Sequence, residues 1–273
     1  MSFERHRVQV QIENLLGCPS KEAWPSFKDS LVNYSVNMDD EVILKAELLK
    51  DAEDIFFKGI LSLCEAINNI YHGLHSWATV KLYYSVYYFL RCSLALKGYA
   101  LVRCKRLYLL EISEGSRPTN KSNKKYNSDH SGTINYYKDL VGENDLLQTN
   151  TIDGVCVYDW LMEKREIVNY RQRIFCEPNY ADFMNGIGSF CHSNNLETQL
   201  IKYIKDDLPI YCFDEDHACL ALPIKRALLT KSELIESGIT TPFSDKLVVL
   251  EDLMSILQTD TSPVYELIRF RQS

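Results

Sequence analysis

The stretch that decides the fold is His75-Ser-Trp-Ala-Thr-Val-Lys-Leu-Tyr-Tyr-Ser-Val-Tyr-Tyr-Phe-Leu-Arg-Cys-Ser-Leu-Ala-Leu-Lys-Gly98. Six aromatic residues fall on this one segment, with small and apolar residues between them. A helix that is apolar on nearly all sides must be buried on most of them. The segment therefore predicts a central core helix, which stops at Gly98 because glycine readily adopts the left-handed cap conformation.

The residues before this segment predict a second long helix. Apolar side chains recur there at intervals of three and four, which is typical of one face of an amphipathic helix: Ile43, Leu44, Leu48, Ala52, Ile55, Phe56, Ile60, Leu63, Ile67 and Ile70. Asp39 and Asp40 are its predicted caps, and His72-Gly73 ends it. Further helices are predicted near residues 8–16, 129–141, 154–174, 180–190, 230–237 and 244–258.

The C-terminal part follows a different pattern. The apolar runs Ile210-Tyr-Cys-Phe213 and Ala218-Cys-Leu-Ala-Leu222 flank a polar stretch, which predicts two short strands joined by a turn. We therefore expect an all-α fold, a HEPN-like antiparallel helical bundle as argued below, with a small C-terminal appendage that holds a short β-hairpin. The predicted divisions are an N-terminal helix and linker (1–38), a helical domain (39–190) and the appendage (191–273).

Composition restricts the class of protein further. Only 11 Gly and 8 Pro among 273 residues argue against a barrel or sandwich, which needs many tight turns. The 9 Cys include no Cys-x-x-Cys pair and follow no signal-peptide core, so we expect reduced thiols and a cytoplasmic protein. The longest uncharged run of the core segment, Leu82 to Leu90, is far shorter than the roughly 20 residues of a membrane span. We expect no membrane contact.

Charge is distributed unevenly along the chain, whose formal net charge is -7. Between residues 103 and 125, seven cations stand against Glu111 and Glu114: Arg103, Lys105, Arg106, Arg117, Lys121, Lys124 and Lys125. Two interpretations remain open for this basic segment. It is either a solvated, flexible polar loop or a mobile surface for RNA or an acidic partner.

Three segments, in this order, resemble the HEPN superfamily of helical proteins found in bacterial toxin–antitoxin and anti-phage systems. They are the aromatic helix Trp77–Phe89 with its Leu94–Gly98 end, Asp129-His-Ser-Gly-Thr-Ile-Asn135, and Arg165-Glu-Ile-Val-Asn-Tyr170. The resemblance covers about residues 50–185. It implies a helical bundle that forms a homodimer.

Active members of that superfamily cut RNA with an Arg and a His placed roughly four to six residues apart on the last core helix, which supply a cation for the phosphate and acid–base groups for proton transfer. The resemblance assigns the Arg to Arg165 and the polar position to Glu166. Where the His should stand, this chain has Tyr170, Arg171 and Gln172.

This departure leaves the catalytic roles open. Tyr has an ordinary pKa of about 10 and is a poor base at neutral pH, although Tyr170 could hold a phosphate or act as an acid. His130, at the start of the neighbouring predicted helix, is a second candidate. The competing interpretation is a structural polar cluster of Arg165, Glu166, Tyr170 and Arg171, in which Arg165 and Glu166 have separate partners because neighbours on a helix point in different directions.

Other motifs are weak or missing. Cys212, His217 and Cys219, with Asp214 and Asp216 beside them, match no familiar zinc spacing. The chain has no Walker loop, no dinucleotide glycine fingerprint and no Gly-x-Ser-x-Gly elbow. We therefore predict no metal site and no cofactor.

Three hypotheses follow for function. The first is a diverged, non-catalytic HEPN-like module of a defence or toxin–antitoxin system that binds nucleic acid or a partner protein encoded nearby. The second is an active, metal-independent endoribonuclease that uses Arg165 with His130 or Tyr170. The third is a scaffold without nucleic-acid contacts, in which the basic segment is only a solvated loop.

Overall fold

The computed structural model of this chain describes residues 4–190, 195–257 and 262–270. It is 66% helix and 6% strand, which confirms the predicted helical class. The α-helices are α1 (Arg7–Leu15), α2 (Lys28–Asn33), α3 (Met38–Tyr71), α4 (His75–Leu96), α5 (Asp129–Val141), α6 (Val157–Glu166), α7 (Asn185–Gly188), α8 (Asn195–Ile204), α9 (Glu215–Glu236) and α10 (Leu247–Met254). The strands are β1 (Tyr99–Cys104), β2 (Arg106–Glu111), β3 (Thr151–Ile152) and β4 (Val155–Cys156).

Short 3₁₀ turns connect these elements, at Trp24–Phe27, Lys124–Tyr126, Gly142–Asn144, Leu146–Gln148, Asp182–Met184, Ile210–Phe213, Ser244–Lys246 and Pro263–Leu267.

The contacts divide the chain into two compact units. The first unit contains the residues up to Ile55 and Leu90–Leu140, and the second contains Phe56–Phe89 and the residues from Val141 onward. The boundaries predicted at residues 38 and 190 stay a prediction. Within the described ranges, no helix has the length and apolar character to cross a membrane.

The long helix α3 forms where its apolar stripe predicts it. The stripe is buried from Leu44 to Ile70, whereas Ile43 at its start is 43% exposed. The predicted cap was wrong in detail, because the side chain of Asn37 accepts the backbone N–H of Asp40 at 2.8 Å. Asn37 is therefore the residue that satisfies the free donors at the helix start.

The aromatic segment forms α4, and Gly98 ends it with a φ of +84°, as predicted. Tyr83 and Tyr87 are buried, and Tyr84 and Tyr88 are half-buried. In the second unit, Phe89 fills the space above Gly59 of α3: a Cβ atom on Gly59 would lie 2.5 Å from the ring. The missing side chain lets the two helices approach closely, so α4 is the core helix that its sequence predicts.

The first unit corrects the interpretation of the basic segment as a polar loop. β1 and β2 pair antiparallel from Tyr99 opposite Glu111 to Cys104 opposite Arg106, and Lys105 makes the turn with a φ of +59°. The cations of the segment hid the pattern of apolar residues that this hairpin buries, and those residues are Ala100, Leu101, Val102, Cys104, Leu107, Tyr108 and Leu110. The chain then returns alongside β2, where Leu109 bridges to Thr119. The half of the segment that contains Arg103, Lys105 and Arg106 is therefore a hairpin.

In the second unit, the helix predicted at 154–174 is shorter and ends differently. A small hairpin of β3 and β4 precedes α6, and a π-helical turn at Ile167–Arg171 continues it. The 3₁₀ turn at Asp182–Met184 and α7 occupy the place of the helix predicted near residues 180–190.

The C-terminal β-hairpin predicted at 210–222 was wrong. Ile210–Phe213 form a 3₁₀ turn, and the second apolar run lies inside α9, which also contains Pro223 and the helix predicted at 230–237. Asp214 caps α9, since its side chain accepts the N–H of Asp216 at 3.0 Å. A short apolar run has the same pattern in a buried strand and in a buried helix, so periodicity could not distinguish them.

Candidate functional site

The site is organised around Arg165, near the end of α6. Five residues along an α-helix advance the chain by about 500°, which would leave residues 165 and 170 roughly 140° apart around the axis. The π-helical turn at Ile167–Arg171 changes this register, and its last bond runs from the N–H of Gln172 to the carbonyl of Ile167 at 3.0 Å. As a result, the Tyr170 hydroxyl lies 3.3 Å from Nη2 of Arg165. π-helical turns of this kind are frequent at functional sites.

Three tyrosine rings surround the guanidinium of Arg165. Its Cζ lies 5.3 Å from the ring centre of Tyr83, 5.6 Å from that of Tyr84 and 5.0 Å from that of Tyr170. Nη2 also donates to the hydroxyl oxygen of Tyr84 at 3.3 Å. These distances are those of cation–π contacts, which favour the charged form of arginine. We call this group the Arg165–tyrosine site.

The charge of Arg165 has no carboxylate partner among the residues that the structure describes. The residue is only 8% exposed, and its Nε is buried without a hydrogen-bond partner. Burial lowers the pKa of Arg165, but the bond to Tyr84 and the neighbouring phenols outweigh it and raise the pKa above its ordinary value. The cation is therefore permanent and only partly satisfied, which leaves donors for an anionic group such as phosphate or carboxylate.

The two tyrosines Tyr170 and Tyr83 beside this cation differ in their exposure to solvent. Tyr170 is 68% exposed, and its ring lies on the guanidinium with the ring centre 5.0 Å from Cζ. Tyr83 is almost completely buried, and its burial raises its pKa although the charge of Arg165 acts in the other direction. The Tyr83 hydroxyl therefore stays protonated at neutral pH. Within the described residues of the second unit, the site brings a cation together with three tyrosine hydroxyls and contains no imidazole and no carboxylate.

The other predicted members of this cluster form a separate group on the helix surface. Nη2 of Arg171 lies 3.2 Å from Oε2 of Glu166, and its Nη1 lies 3.9 Å from Oε1 of Glu163. All three side chains are exposed by more than 40%. Arg165 and Glu166 thus have separate partners, as their positions on the helix predict.

The predicted catalytic alternative His130 lies on α5. It is the second residue of α5 and belongs to the first unit, whereas Arg165, Glu166 and Tyr170 belong to the second. A joint role of His130 and Arg165 stays a prediction.

The basic segment lies on the first unit, where carboxylates neutralise part of its charge. Arg103 pairs with Asp129 at 3.0 Å, and Lys121 pairs with Asp139 at 2.5 Å. Burial raises the pKa of Asp139, but hydrogen bonds from Lys121 and Tyr126 outweigh it and lower the pKa below its ordinary value.

Lys121 and Lys125 both lie over the ring of Tyr126, at 4.8 and 5.4 Å from its centre. In the described part of the chain, four exposed cations of the segment have neither an ion pair nor a ring contact: Lys105, Arg106, Arg117 and Lys124. These four are the strongest candidates for contacts to an anionic partner.

The structure gives the weak metal motif a structural role. Nδ1 of His217 lies 2.8 Å from the hydroxyl of Tyr203, and Cys212 and Cys219 are buried. Across the described ranges, no three His, Cys, Asp or Glu side chains come together as metal ligands.

Sequence reasoning missed Tyr83 and Tyr84 as walls of the Arg165–tyrosine site, because it interpreted the aromatic run of α4 only as core. The spacing of the aromatic residues does not single these two out, because aromatic and apolar residues fall on nearly all sides of that helix.

No protein-family model, no curated protein and no solved structure matches this chain.

Proposed function

We propose that this chain is a diverged HEPN-like helical module that binds an anionic partner and does not cut RNA. Its setting would be a bacterial anti-phage defence or toxin–antitoxin system, with a homodimer as the functional form. We propose that RNA binds at the Arg165–tyrosine site. A protein encoded by a neighbouring gene is a further proposed partner.

The observation that carries this proposal is the state of Arg165. Within the described residues, its buried guanidinium has no carboxylate partner and its Nε has no hydrogen-bond partner. Leaving a buried charge without a counterion is energetically costly. A phosphate that reaches Nε or displaces the Tyr170 hydroxyl would supply the missing negative charge and form charge-assisted hydrogen bonds.

The position of Tyr170 supports an RNA partner. Its exposed ring lies over the guanidinium, and aromatic rings beside a cation are the usual means of holding a single-stranded base next to its phosphate. The first unit has exposed cations of its own that are suited to contact RNA phosphates, namely Lys105, Arg106, Arg117 and Lys124.

Binding of a fluorescent single-stranded RNA tests the proposal. Arg165→Met removes the charge but keeps the volume, and we expect it to weaken binding by roughly 10- to 100-fold, the effect of losing one or two charged hydrogen bonds of about 1.5 kcal/mol each. Arg171→Met is the matched control, because Arg171 lies on the same helical segment but is exposed and paired with Glu166.

Thermal unfolding of both variants checks that each is folded. If Arg165→Met is folded and binds RNA as tightly as the original protein, the Arg165–tyrosine site has only a structural role. If RNA binding is unaffected but a neighbouring gene product is lost from a purified complex, the anion at Arg165 is a carboxylate of that protein.

A second candidate function, metal-independent RNA cleavage, rests on one contact. The Tyr170 hydroxyl is 3.3 Å from Nη2 of Arg165, close enough for both to act on one phosphate. In this alternative either Tyr170 or His130 would be the proton-transfer group that acts together with Arg165.

A further inference from the structure

The start of α4 packs against the chain that follows the π-helical turn, and both belong to the second unit. The rings of Trp77 and Phe175 meet edge to face with their centres 5.4 Å apart. The rings of His75 and Tyr180 do the same at 5.6 Å. Next in sequence to these two aromatic pairs is a small group of polar side chains that the proposed function does not use.

The polar group consists of Ser76, Cys176 and Glu177. The Ser76 backbone N–H and hydroxyl donate to the two carboxylate oxygens of Glu177, at 2.6 and 2.7 Å. The Cys176 Sγ lies 3.2 Å from the Ser76 oxygen. Because the Ser76 hydroxyl already donates its hydrogen bond to the carboxylate, its oxygen accepts a hydrogen bond from the thiol. A continuous chain of hydrogen bonds therefore runs from thiol to hydroxyl to carboxylate.

Cys176 also differs from most of the other described thiols in its access to solvent. Cys64, Cys92, Cys104, Cys212 and Cys219 are buried. Burial raises the pKa of the last two to about 12, which makes them unreactive. Cys18 and Cys156 are partly exposed like Cys176, but the thiol of Cys18 donates only to the carbonyl oxygen of Ser20 at 3.1 Å.

A second and independent observation concerns His75, the residue before Ser76. Its side chain is 2% exposed, and its Nδ1 is buried without a hydrogen-bond partner among the described residues. Burial lowers its pKa, and the charge of Glu177 only partly offsets this, so the imidazole is neutral at pH 7 and close to that carboxylate. In a neutral imidazole each ring nitrogen either donates or accepts a hydrogen bond. The group therefore contains one imidazole nitrogen that still lacks a partner among the described residues.

We propose that Cys176 is an oxidant-sensitive thiol, a modification site that reacts with hydrogen peroxide and forms a sulfenic acid with the help of Ser76 and Glu177. The sulfur attacks one peroxide oxygen, so that an S–O bond forms and the O–O bond breaks. The sulfur loses two electrons and the peroxide oxygens gain them. The thiol proton passes through Ser76 to Glu177 and then to the departing hydroxide, which leaves as water.

The surroundings of Cys176 favour each stage of this reaction. The thiol lies beside the N-terminus of α4, whose dipole stabilises the negative charge that develops on sulfur. The hydroxyl of the sulfenic acid can donate or accept a hydrogen bond, and Nδ1 of His75 lacks a partner of either kind among the described residues. The sulfenic acid would be reversible, because thiols reduce it.

Peroxide treatment of the full chain, followed by dimedone trapping and peptide mass spectrometry, tests this proposal. We expect Cys176 to be trapped faster than Cys18. Ser76→Ala interrupts the proton path but keeps the backbone bond from residue 76 to Glu177, so the helix start is preserved. Since a positioned proton-transfer group contributes roughly 10²–10⁴-fold to a rate, we expect Ser76→Ala and Glu177→Gln each to slow trapping of Cys176 by about tenfold or more.

Ser232→Ala, which removes an exposed hydroxyl from α9, is the matched control and should leave the rate unchanged. Trapping of Cys18 in every variant reports on the oxidant and on global unfolding. The proposal is overturned if Cys176 of the original chain reacts no faster than Cys18, or if Ser76→Ala reacts as fast as the original chain. Should Glu177→Gln fail to fold, Ser76→Ala decides the question alone.

Discussion

The guanidinium of Arg226 on α9 lies 3.7 Å from the carboxylate of Asp145, and both side chains are almost completely buried. Asp145 also accepts the hydroxyl of Tyr158 at 2.5 Å and caps the 3₁₀ turn at Leu146–Gln148 through the N–H of Leu147. One carboxylate thus joins three parts of the second unit. Arg226 has a second partner in Glu233, whereas Arg165 has no such carboxylate within the described residues.

Removing one member of this buried pair should destabilise the protein strongly. We expect Asp145→Ala to lower the free energy of unfolding by about 3–5 kcal/mol, because it leaves the Arg226 charge buried and under-compensated. Equilibrium urea unfolding measures the loss. Glu47→Ala removes one partner of the surface pair with Lys50 and should cost about 1 kcal/mol or less. Equal losses in the two variants would show that the buried pair has no special role.

The purified chain should not cleave RNA on its own. Among the described residues of the second unit, the Arg165–tyrosine site offers a cation and phenols but no imidazole, and a positioned general base typically contributes ~10²–10⁴-fold. Incubation of single-stranded and structured RNAs without metal checks this expectation. Cleavage that is abolished by both Arg165→Met and His130→Ala would instead favour the ribonuclease. Cleavage that is lost in Arg165→Met and in Tyr170→Phe but kept in His130→Ala would identify Tyr170 as the proton-transfer group.

Charge reversal on the basic segment should weaken RNA binding and reduce its salt dependence. The variant Lys105→Glu, Arg106→Glu, Lys124→Glu changes cations that have no ion pair among the described residues, so their loss should leave the fold intact. Each lost phosphate contact should reduce the slope of log affinity against log salt by about 0.7 for a single strand. Lys45→Glu, Lys50→Glu is the control, since these cations lie on α3 outside the segment. Unchanged affinity and slope would leave the segment as a solvated surface.

An exposed apolar group on the second unit is where we expect the proposed homodimer to form. Trp77, Ile174 and Phe175 are 47%, 69% and 42% exposed, and interfaces are enriched in such aromatic residues. The double variant Trp77→Ser, Ile174→Ser should shift the mass measured by light scattering from dimer to monomer. Val248→Ser on α10, at a residue 61% exposed, is the control. A monomeric original chain at micromolar concentration would contradict the dimer directly.

Stability should fall as the pH drops below about 6.5, the ordinary pKa of histidine, partly because of His75. Burial lowers the pKa of His75 in the folded protein, so between the folded and the unfolded pKa the unfolded chain binds more protons. The stabilisation is therefore complete above the unfolded pKa and is lost as pH falls through the folded one. We measure the free energy of unfolding in urea at several pH values, and it should change less with pH in His75→Gln than in the original chain. His72→Gln, at an exposed residue, is the control. The same pH dependence in all three proteins would refute this role of His75.

Sequence alone was enough for the two long helices, because their signals are local. The stripe that becomes α3 repeats over many turns, and the aromatic run of α4 is apolar around most of its circumference, so each helix has to bury surface wherever it packs. Gly98 ends α4 for a reason that also lies in one residue, the freedom of glycine to adopt positive φ. The sequence predicts that α5 begins directly after Ser128-Asp129, and it begins at Asp129, within one residue of that position.

Tertiary structure decided the features that depend on distant residues. The run from Ala218 to Leu222 became helical because partners elsewhere in the second unit bury it on all sides, and the pairing of β1 with β2 outweighed the charges of Arg103, Lys105 and Arg106. The Arg165–tyrosine site needed a π-helical turn and two rings from α4, none of which a spacing rule on one helix reveals. Packing between segments far apart in sequence decides which polar groups meet, and this information is absent from local periodicity.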